Sequence, residues 1–278
     1  MQGRSMGNGI SFTGHPQSAN REVHMNDYTE INARTIDRWA EEGWIWSTPV
    51  SEEVCEKARN GEWDVVLTPI RPVPKEWFPL MEGSKLLGLA SGGGQQMPVF
   101  ALLEAECTVM DLSEKQLENE RFVSTRENYS IEIVKADMTK RFPFKDRSFD
   151  IIFHPVSNCF IEDVRHVWHE CFRVLRKGGV LLAGMENGIN FLFDSYESPL
   201  TIVNKLPFNP LKDPALMEKL AAGDDGVQFS HTFDEQIGGQ IEAGFVITGA
   251  YEDYNTPDDK DALSDTIPTF WATRAVKP

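Results

Sequence analysis

Short apolar runs alternate with amphipathic stretches along most of the chain. Lys85 to Ala90, Cys107 to Met110, Ile131 to Val134, Phe149 to Phe153 and Val180 to Ala183 have strand length. Several are apolar at successive rather than alternate positions, the pattern of strands buried on both faces. Helical stretches separate them: one from the glycines at 92–94 to Glu104, one from Ser113 to about Glu127, and one over Asp163 to Arg176. In the last, Val164, Val167, Trp168, Cys171, Phe172 and Leu175 share a face, and Lys177-Gly178-Gly179 predicts its end. Strands alternating with helices predict an α/β fold, a doubly wound and mostly parallel sheet covered on both sides. Toward the end the rhythm changes. A helix around Thr232 to Ala243 precedes two β-like runs, Phe245 to Tyr251 and Thr269 to Val276. An acidic loop without a crossover helix joins them, which predicts antiparallel pairing of the final strand.

Ahead of the sheet, Thr29 to Glu42 carries Ile31, Ile36, Trp39 and Ala40 at helical spacing. Gly43 stops that helix, and Trp44 and Trp46 follow in a connector. Ser51 is the expected N-cap of a second helix with Glu52 and Glu53 in its first turn, ended by Asn60-Gly61. Pro69, Pro72, Pro74 and Pro79 predict an extended linker. Met1 to His24 is rich in Gly, Ser, Asn and Gln without an apolar period, and is expected to be a mobile arm or an appended segment. The expected organisation is therefore an arm (1–24), a helical lid with its linker (25–80), the lid expected over the carboxyl ends of the strands, and a main domain (81–278) holding a long insertion at about 186–225.

Composition narrows the function classes. The 278 residues are 41% hydrophobic and 25% charged, as in an ordinary globular protein. Net charge is −16, from 27 basic and 43 acidic side chains, which argues against a nucleic-acid partner or an anionic membrane surface. No apolar run reaches the roughly 18 residues of a membrane span, and the first residues lack the apolar stretch of a secretory signal. Cys55, Cys107, Cys159 and Cys171 are scattered without metal-ligand spacing, which reads as reduced core thiols in a cytoplasmic protein.

The first chemical signal is the loop Gly88-Leu89-Ala90-Ser91-Gly92-Gly93-Gly94 between a strand and a helix, where backbone N–H groups can meet an anionic ligand. Asp111 follows Gly92 by 19 positions, at the end of the next strand, where a carboxylate can accept from both ribose hydroxyls. A tight turn would account for the glycines alone; with Asp111 the pattern favours a nucleoside ligand. A dinucleotide site needs Gly-x-Gly-x-x-Gly so that the backbone can approach a pyrophosphate, and here the middle glycine is Ala90. Ala136-Asp137-Met138, after the third strand, can bind an adenine through the carboxylate and the thioether.

With these segments in order, the chain resembles the class I S-adenosylmethionine-dependent methyltransferases over roughly residues 28 to 278. The resemblance rests on Leu87 to Gly93, Val109 to Ser113, Ala136 to Met138, Phe142-Pro143-Phe144 through Ser148 to Phe153, and Phe172 to Gly179. It implies a Rossmann-like seven-stranded sheet with an antiparallel final strand, and S-adenosylmethionine as cofactor with S-adenosylhomocysteine as product. Carried over by position, it implies that Gly88, Ala90, Ser91, Gly92 and Gly93 hold the methionine part of the cofactor. Asp111 and Leu112 then bind the ribose, Asp137 and Met138 the adenine, and His154 with its followers faces the methyl group. Ala90 departs from the family's usual glycine; a methionine carboxylate is smaller than a pyrophosphate, so the extra methyl is expected to be tolerated.

His154-Pro155-Val156-Ser157-Asn158-Cys159 leaves the fourth strand where ligands sit in such sheets. His154 is the candidate general base or cofactor contact, the alternative being a loop histidine held by the backbone. Asn158 either contacts the ligand or caps the next helix. His166 and His169 lie opposite the apolar face of their helix without a third ligand, the pattern of a solvated surface. Trp39, Trp44 and Trp46 either anchor their segment or close over the sulfonium as aromatic faces, Trp39 and Trp46 being the candidate cofactor contacts. The insertion at 186–225, with Asn187, Asn190, Phe191, Phe193, Tyr196 and Phe208, suits a roof over a small organic substrate. Methyl transfer to a small molecule is the leading function. An NAD(P)-dependent reductase using the same loop, and a non-catalytic S-adenosylmethionine-binding module, are the alternatives; a Tyr-x-x-x-Lys pair for the former is absent.

Overall fold

Five parallel strands form most of one sheet: β1 (Lys85–Leu89), β2 (Glu106–Asp111), β3 (Glu132–Lys135), β4 (Phe149–His154) and β5 (Leu175–Glu186). Beyond β5 lie β7 (Phe270–Val276) and β6 (Val246–Asp253), and β7 runs antiparallel to both neighbours. The order β3-β2-β1-β4-β5-β7-β6 is the seven-stranded, doubly wound arrangement expected from the sequence. The computed structural model describes residues 28–222, 226–258, 260–264 and 266–278. The expected arm at 1–24 lies outside the described residues, as do three positions at the end of the expected insertion.

The helices are α1 (Tyr28–Glu41), α2 (Glu52–Arg59), α3 (Met97–Leu102), α4 (Glu114–Glu127), α5 (Val164–Val174), α6 (Pro214–Ala222) and α7 (Gly239–Glu242). Polar caps set several starts. Ser51 Oγ accepts from Val54 N (3.3 Å), Ser113 Oγ from Gln116 N (3.2 Å) and Asp163 Oδ1 from His166 N (3.1 Å). One boundary differs from the sequence expectation. α5 stops at Val174, and Leu175 is already extended and paired with Phe149, so Lys177-Gly178-Gly179 lies inside β5 rather than at a helix end. The glycine pair falls where the β4–β5 register slips, between Phe149 and Ile151, and so marks a bulge.

Neighbouring residues of β1 feed opposite cores: Leu86 packs with Phe100, Val109 and Phe153, and Leu87 with Met110, Ile152 and Trp168. That two-sided burial is the physical reason for the uninterrupted apolar runs. The proline-bearing segment joins the first core, because Val65, Leu67, Val73 and Trp77 are buried in it. All four cysteines are free and buried. Parallel strands leave Leu89, Asp111, Lys135 and His154 at one edge of the sheet, the carboxyl end, where the loops converge.

Candidate active site

The turn after β1 is shaped by Asp111. Its Oδ2 accepts from Gly92 N (3.0 Å) and its Oδ1 from Ser113 N (3.0 Å), so one carboxylate ties the loop after β1 to the loop after β2. Burial pushes the Asp111 carboxyl above its ordinary range, against the opposing pull of the Ser113, Gly92 and Leu112 N–H groups. A Cβ on Gly92 would stand 2.7 Å from Gln116 Cβ and 2.9 Å from Asp111 Oδ2, so only glycine fits this close approach. Ala90 adopts φ +47°, the left-handed region, with its N–H bonded to Met110 O (2.8 Å). That conformation costs an L-residue about 1–2 kcal/mol, which the loop carries as local strain.

Glu120 on α4 supports the same turn. Its Oε1 accepts from Gly94 N (2.7 Å), its other oxygen is buried without a hydrogen-bond partner among the described residues, and burial pushes its pKa up to about 8. Glu186, at the end of β5, is likewise buried and pushed up to about 8. The folded chain therefore holds two protons that the unfolded chain releases near pH 4.5. Stability from these groups is complete below that pH and is lost as pH rises toward 8. His154 and His231 act in the opposite sense, their pKa values lowered by burial, but only below about pH 6.5. Urea unfolding at pH 6.5 and 8.0 should show lower stability at pH 8.0, by on the order of a few kcal/mol. Glu120→Gln, which keeps an oxygen for Gly94, should flatten that dependence; a wild-type midpoint that does not fall between these pH values would contradict the assignment.

A cleft of about 1090 Å³, counted with its open mouth, spans the carboxyl ends of β1, β2, β3 and β4. Its floor includes Ala90, Ser91, Gly92, Asp111, Leu112, Asp137 and Met138. Thr29, Asn32, Ala33 and Ile36 of α1, with Trp44 and Trp46, form a wall. Buried Asn32 fixes α1: its Nδ2 donates to Phe160 O (3.0 Å) and Val227 O (2.9 Å), and its Oδ1 accepts from Val227 N (2.6 Å). Asp37 Oδ1 accepts from Ser113 Oγ (2.5 Å) and Lys115 N (3.1 Å), which ties α1 to the start of α4. Val66, Leu67, Thr68 and Pro69 complete the lining together with Pro155, Val156, Ser157, Phe160 and Ile161, and Val156 N donates to Leu67 O (3.1 Å).

His154 lies behind this wall. It is fully buried, with Nδ1 3.0 Å from Leu89 O and Nε2 2.8 Å from the Asn158 side-chain amide. Leu89 O can only accept, so Nδ1 carries the proton. Neutral Nε2 then requires the Asn158 amide to turn its NH₂ toward the ring. Asn158 in turn pairs with Gln236 (3.0 Å), presented by a π-helical turn at Asp234–Gly238, and His231 Nε2 lies 3.0 Å from Asn158 O. Neither His154 nor Asn158 lines the cleft.

Of the other expected cofactor residues, Gly88 sits within β1 against Met97, and Gly93 donates to Gln116 O (2.9 Å); neither lines the cleft. Trp39 meets Trp44 with ring centroids 5.1 Å apart and planes tilted by 52°, and it does not line the cleft. The insertion does not reach the cleft with its described residues: Phe191 stacks on Phe208 (5.4 Å), and Met217 packs with Ile31, Val227 and Phe229 on the outer side of α1. His166 Nε2 bonds Lys140 O (3.0 Å), and His169 is exposed. Asn32, Asp37, Gln116, Glu120 and the 66–69 segment carry no local sequence signal, because their roles depend on contacts between elements distant in the chain.

The cleft carries orphaned polar atoms. Ser91 Oγ, Gln116 Oε1 and Trp46 Nε1 are buried and without a hydrogen-bond partner among the described residues, and all three residues border the cleft. Unmet donors and acceptors around an acid at the end of β2 fit a nucleoside ligand with a polar tail.

Comparison with known proteins gives the same direction. Residues 87–183 match a family model described as a methyltransferase domain. The chain is 41% identical over 258 residues to an uncharacterised methyltransferase, YbaJ, of Bacillus subtilis, covering 91% of this chain and all of the relative. An S-adenosylmethionine-dependent methyltransferase from Mesorhizobium loti superposes with a TM-score of 0.56 at 21% identity, over 73% of this chain and 94% of that one. A second, from Listeria monocytogenes, described as a putative enzyme of that kind, gives 0.54 at 16% identity over 73% and 95%. Sheet order, the acid closing the second strand and an end-to-end relative agree: this chain belongs to the class I methyltransferases, the family whose cofactor is S-adenosylmethionine.

Proposed function

We propose that the cleft binds S-adenosylmethionine across the carboxyl ends of β1 to β4 and directs its methyl group to a small organic acceptor. The observation that carries this reading is the Asp111 carboxylate, 3.0 Å from both Gly92 N and Ser113 N, at the cleft floor beside the orphaned Ser91 and Gln116 oxygens. In this reading Ala90, Ser91 and Gly92 take the methionine end, Asp111 and Leu112 the ribose, and Asp137 and Met138 the adenine. When bound, the cofactor supplies a methyl group already activated on a sulfonium that leaves as a neutral thioether. The protein contributes alignment and exclusion of water. Pro155, Val156 and Ser157 flank the acceptor side, and Trp44 and Trp46 present aromatic faces. Leu67, Pro69, Val156, Phe160 and Ile161 make that side mainly apolar, which suits a small hydrophobic acceptor.

His154 acts here as a positioning residue. Both ring nitrogens are occupied, and its bonds to Leu89 and Asn158 hold the start of the glycine loop against the loop after β4. No helix among the described residues is long and apolar enough to cross a membrane, and the four free buried thiols suit a reducing cytoplasm. The test is incubation with methyl-labelled S-adenosylmethionine and fractionated metabolite pools. Label should appear in a low-molecular-weight product. With that acceptor, His154→Gln should lower turnover while leaving the shape of the pH–rate profile unchanged. Label confined to protein or nucleic acid, or no transfer at all, would contradict the small-molecule reading, and loss of a pH–rate limb in His154→Gln would restore the general base.

A further inference from the structure

The segment Val66 to Arg71 crosses the cleft margin as a strap held at several points. Val66 N donates to Gln96 Oε1 (3.2 Å), and Val156 N donates to Leu67 O (3.1 Å), so the strap touches both the glycine-loop side and the loop after β4. Beneath it, Gly184 of β5 leaves no room for a side chain: a Cβ there would lie 2.1 Å from Leu67 O. The strap's far end is fixed by one carboxylate. Asp253, closing β6 and 4% exposed, accepts at Oδ2 from Thr68 Oγ1 (2.8 Å), Ile70 N (2.9 Å) and Arg71 N (2.8 Å). Its Oδ1 accepts from Tyr254 N (2.9 Å). Thr68 and Pro69 line the cleft, whereas Asp253 does not.

We infer that Asp253, although remote from the glycine loop and from Asp111, is a positioning residue that fixes the Thr68–Pro69 wall over the methionine and methyl-acceptor end of the site. The inference rests on the cofactor placement proposed above. Asp111 ends β2 and Asp137 lies just past β3, toward one edge of the sheet, while the strap lies over β4 and β5. The strap is therefore across the cleft from the nucleoside end. Only an acid serves at position 253, because both oxygens accept. An amide would turn its NH₂ either toward three donors or toward Tyr254 N–H, leaving buried donors unpaired.

The test compares two probes on Asp253→Asn: S-adenosylhomocysteine, which spans both ends of the site, and adenosine, which fills only the nucleoside end. Asp253→Asn should weaken S-adenosylhomocysteine about tenfold, through displacement of the strap, and leave adenosine within about twofold. Hydrogen exchange at Ile70 and Arg71 should accelerate in the same variant. Thr68→Val, which removes one of the three bonds while keeping the wall's shape, should give a smaller loss of the same selectivity and guards against a misfolded Asp253→Asn. Unchanged S-adenosylhomocysteine affinity in folded variants, or equal loss of both probes, would overturn the assignment while leaving the cofactor reading intact. A wild-type protein that binds neither probe would remove that reading and this one with it.

Discussion

Asp111→Ala is expected to weaken S-adenosylhomocysteine binding by at least about a hundredfold. A carboxylate accepting from two ribose hydroxyls makes two charge-assisted hydrogen bonds, each worth roughly 1.5–3 kcal/mol, and 1.4 kcal/mol is a factor of ten. The same side chain also organises the apo loop through Gly92 N and Ser113 N, so its removal loosens the turn that meets the methionine end. Both effects act in one direction. Asp111→Asn separates them: the amide can still accept one loop bond, so its loss should be smaller than that of alanine. Isothermal calorimetry on both variants checks this, and an alanine variant that binds like the wild type would remove the ribose role.

The second large effect concerns α1 and the tryptophans after it. A chain lacking residues 1–24 should bind S-adenosylhomocysteine as the full chain does, whereas a chain lacking residues 1–46 should bind it at least tenfold more weakly, since it loses a wall of the cleft. Thr29, Asn32, Ala33, Ile36, Trp44 and Trp46 all go with the longer deletion. Because the sheet keeps both of its cores, the circular dichroism of the remaining domain should retain its α/β signature. Asn32→Ala is a milder form of the same experiment, since it cuts the three bonds that hold α1 to Phe160 and Val227. Equal affinity in the 1–46 deletion would mean that the tryptophans only anchor their segment.

The sheet was legible in the sequence because parallel strands buried on both faces leave uninterrupted apolar runs, and Leu86-Leu87 feeding opposite cores is the direct cause. The antiparallel end was legible from the missing crossover between Tyr251 and Thr269. The end of α5 was misplaced because Gly178-Gly179 signals a change of direction without saying whether a helix or a strand contains it. In the site, Ala90 to Gly92, Asp111, Leu112, Asp137 and Met138 meet in one cleft because each lies at or just past the carboxyl end of a strand on the same sheet edge. His154 also closes a strand, yet its side chain turns inward to Leu89 O, and strand position does not encode that direction. Asn32, Glu120 and Asp253 work through partners more than twenty residues away, so no local pattern announces them.

Calorimetric titration of the full chain with S-adenosylhomocysteine, and separately with NADH, decides which cofactor this cleft takes. One saturable S-adenosylhomocysteine site per chain is expected, lost in Asp111→Ala, with no heat of binding for NADH. Saturable NADH binding at this cleft with none for S-adenosylhomocysteine would contradict that expectation.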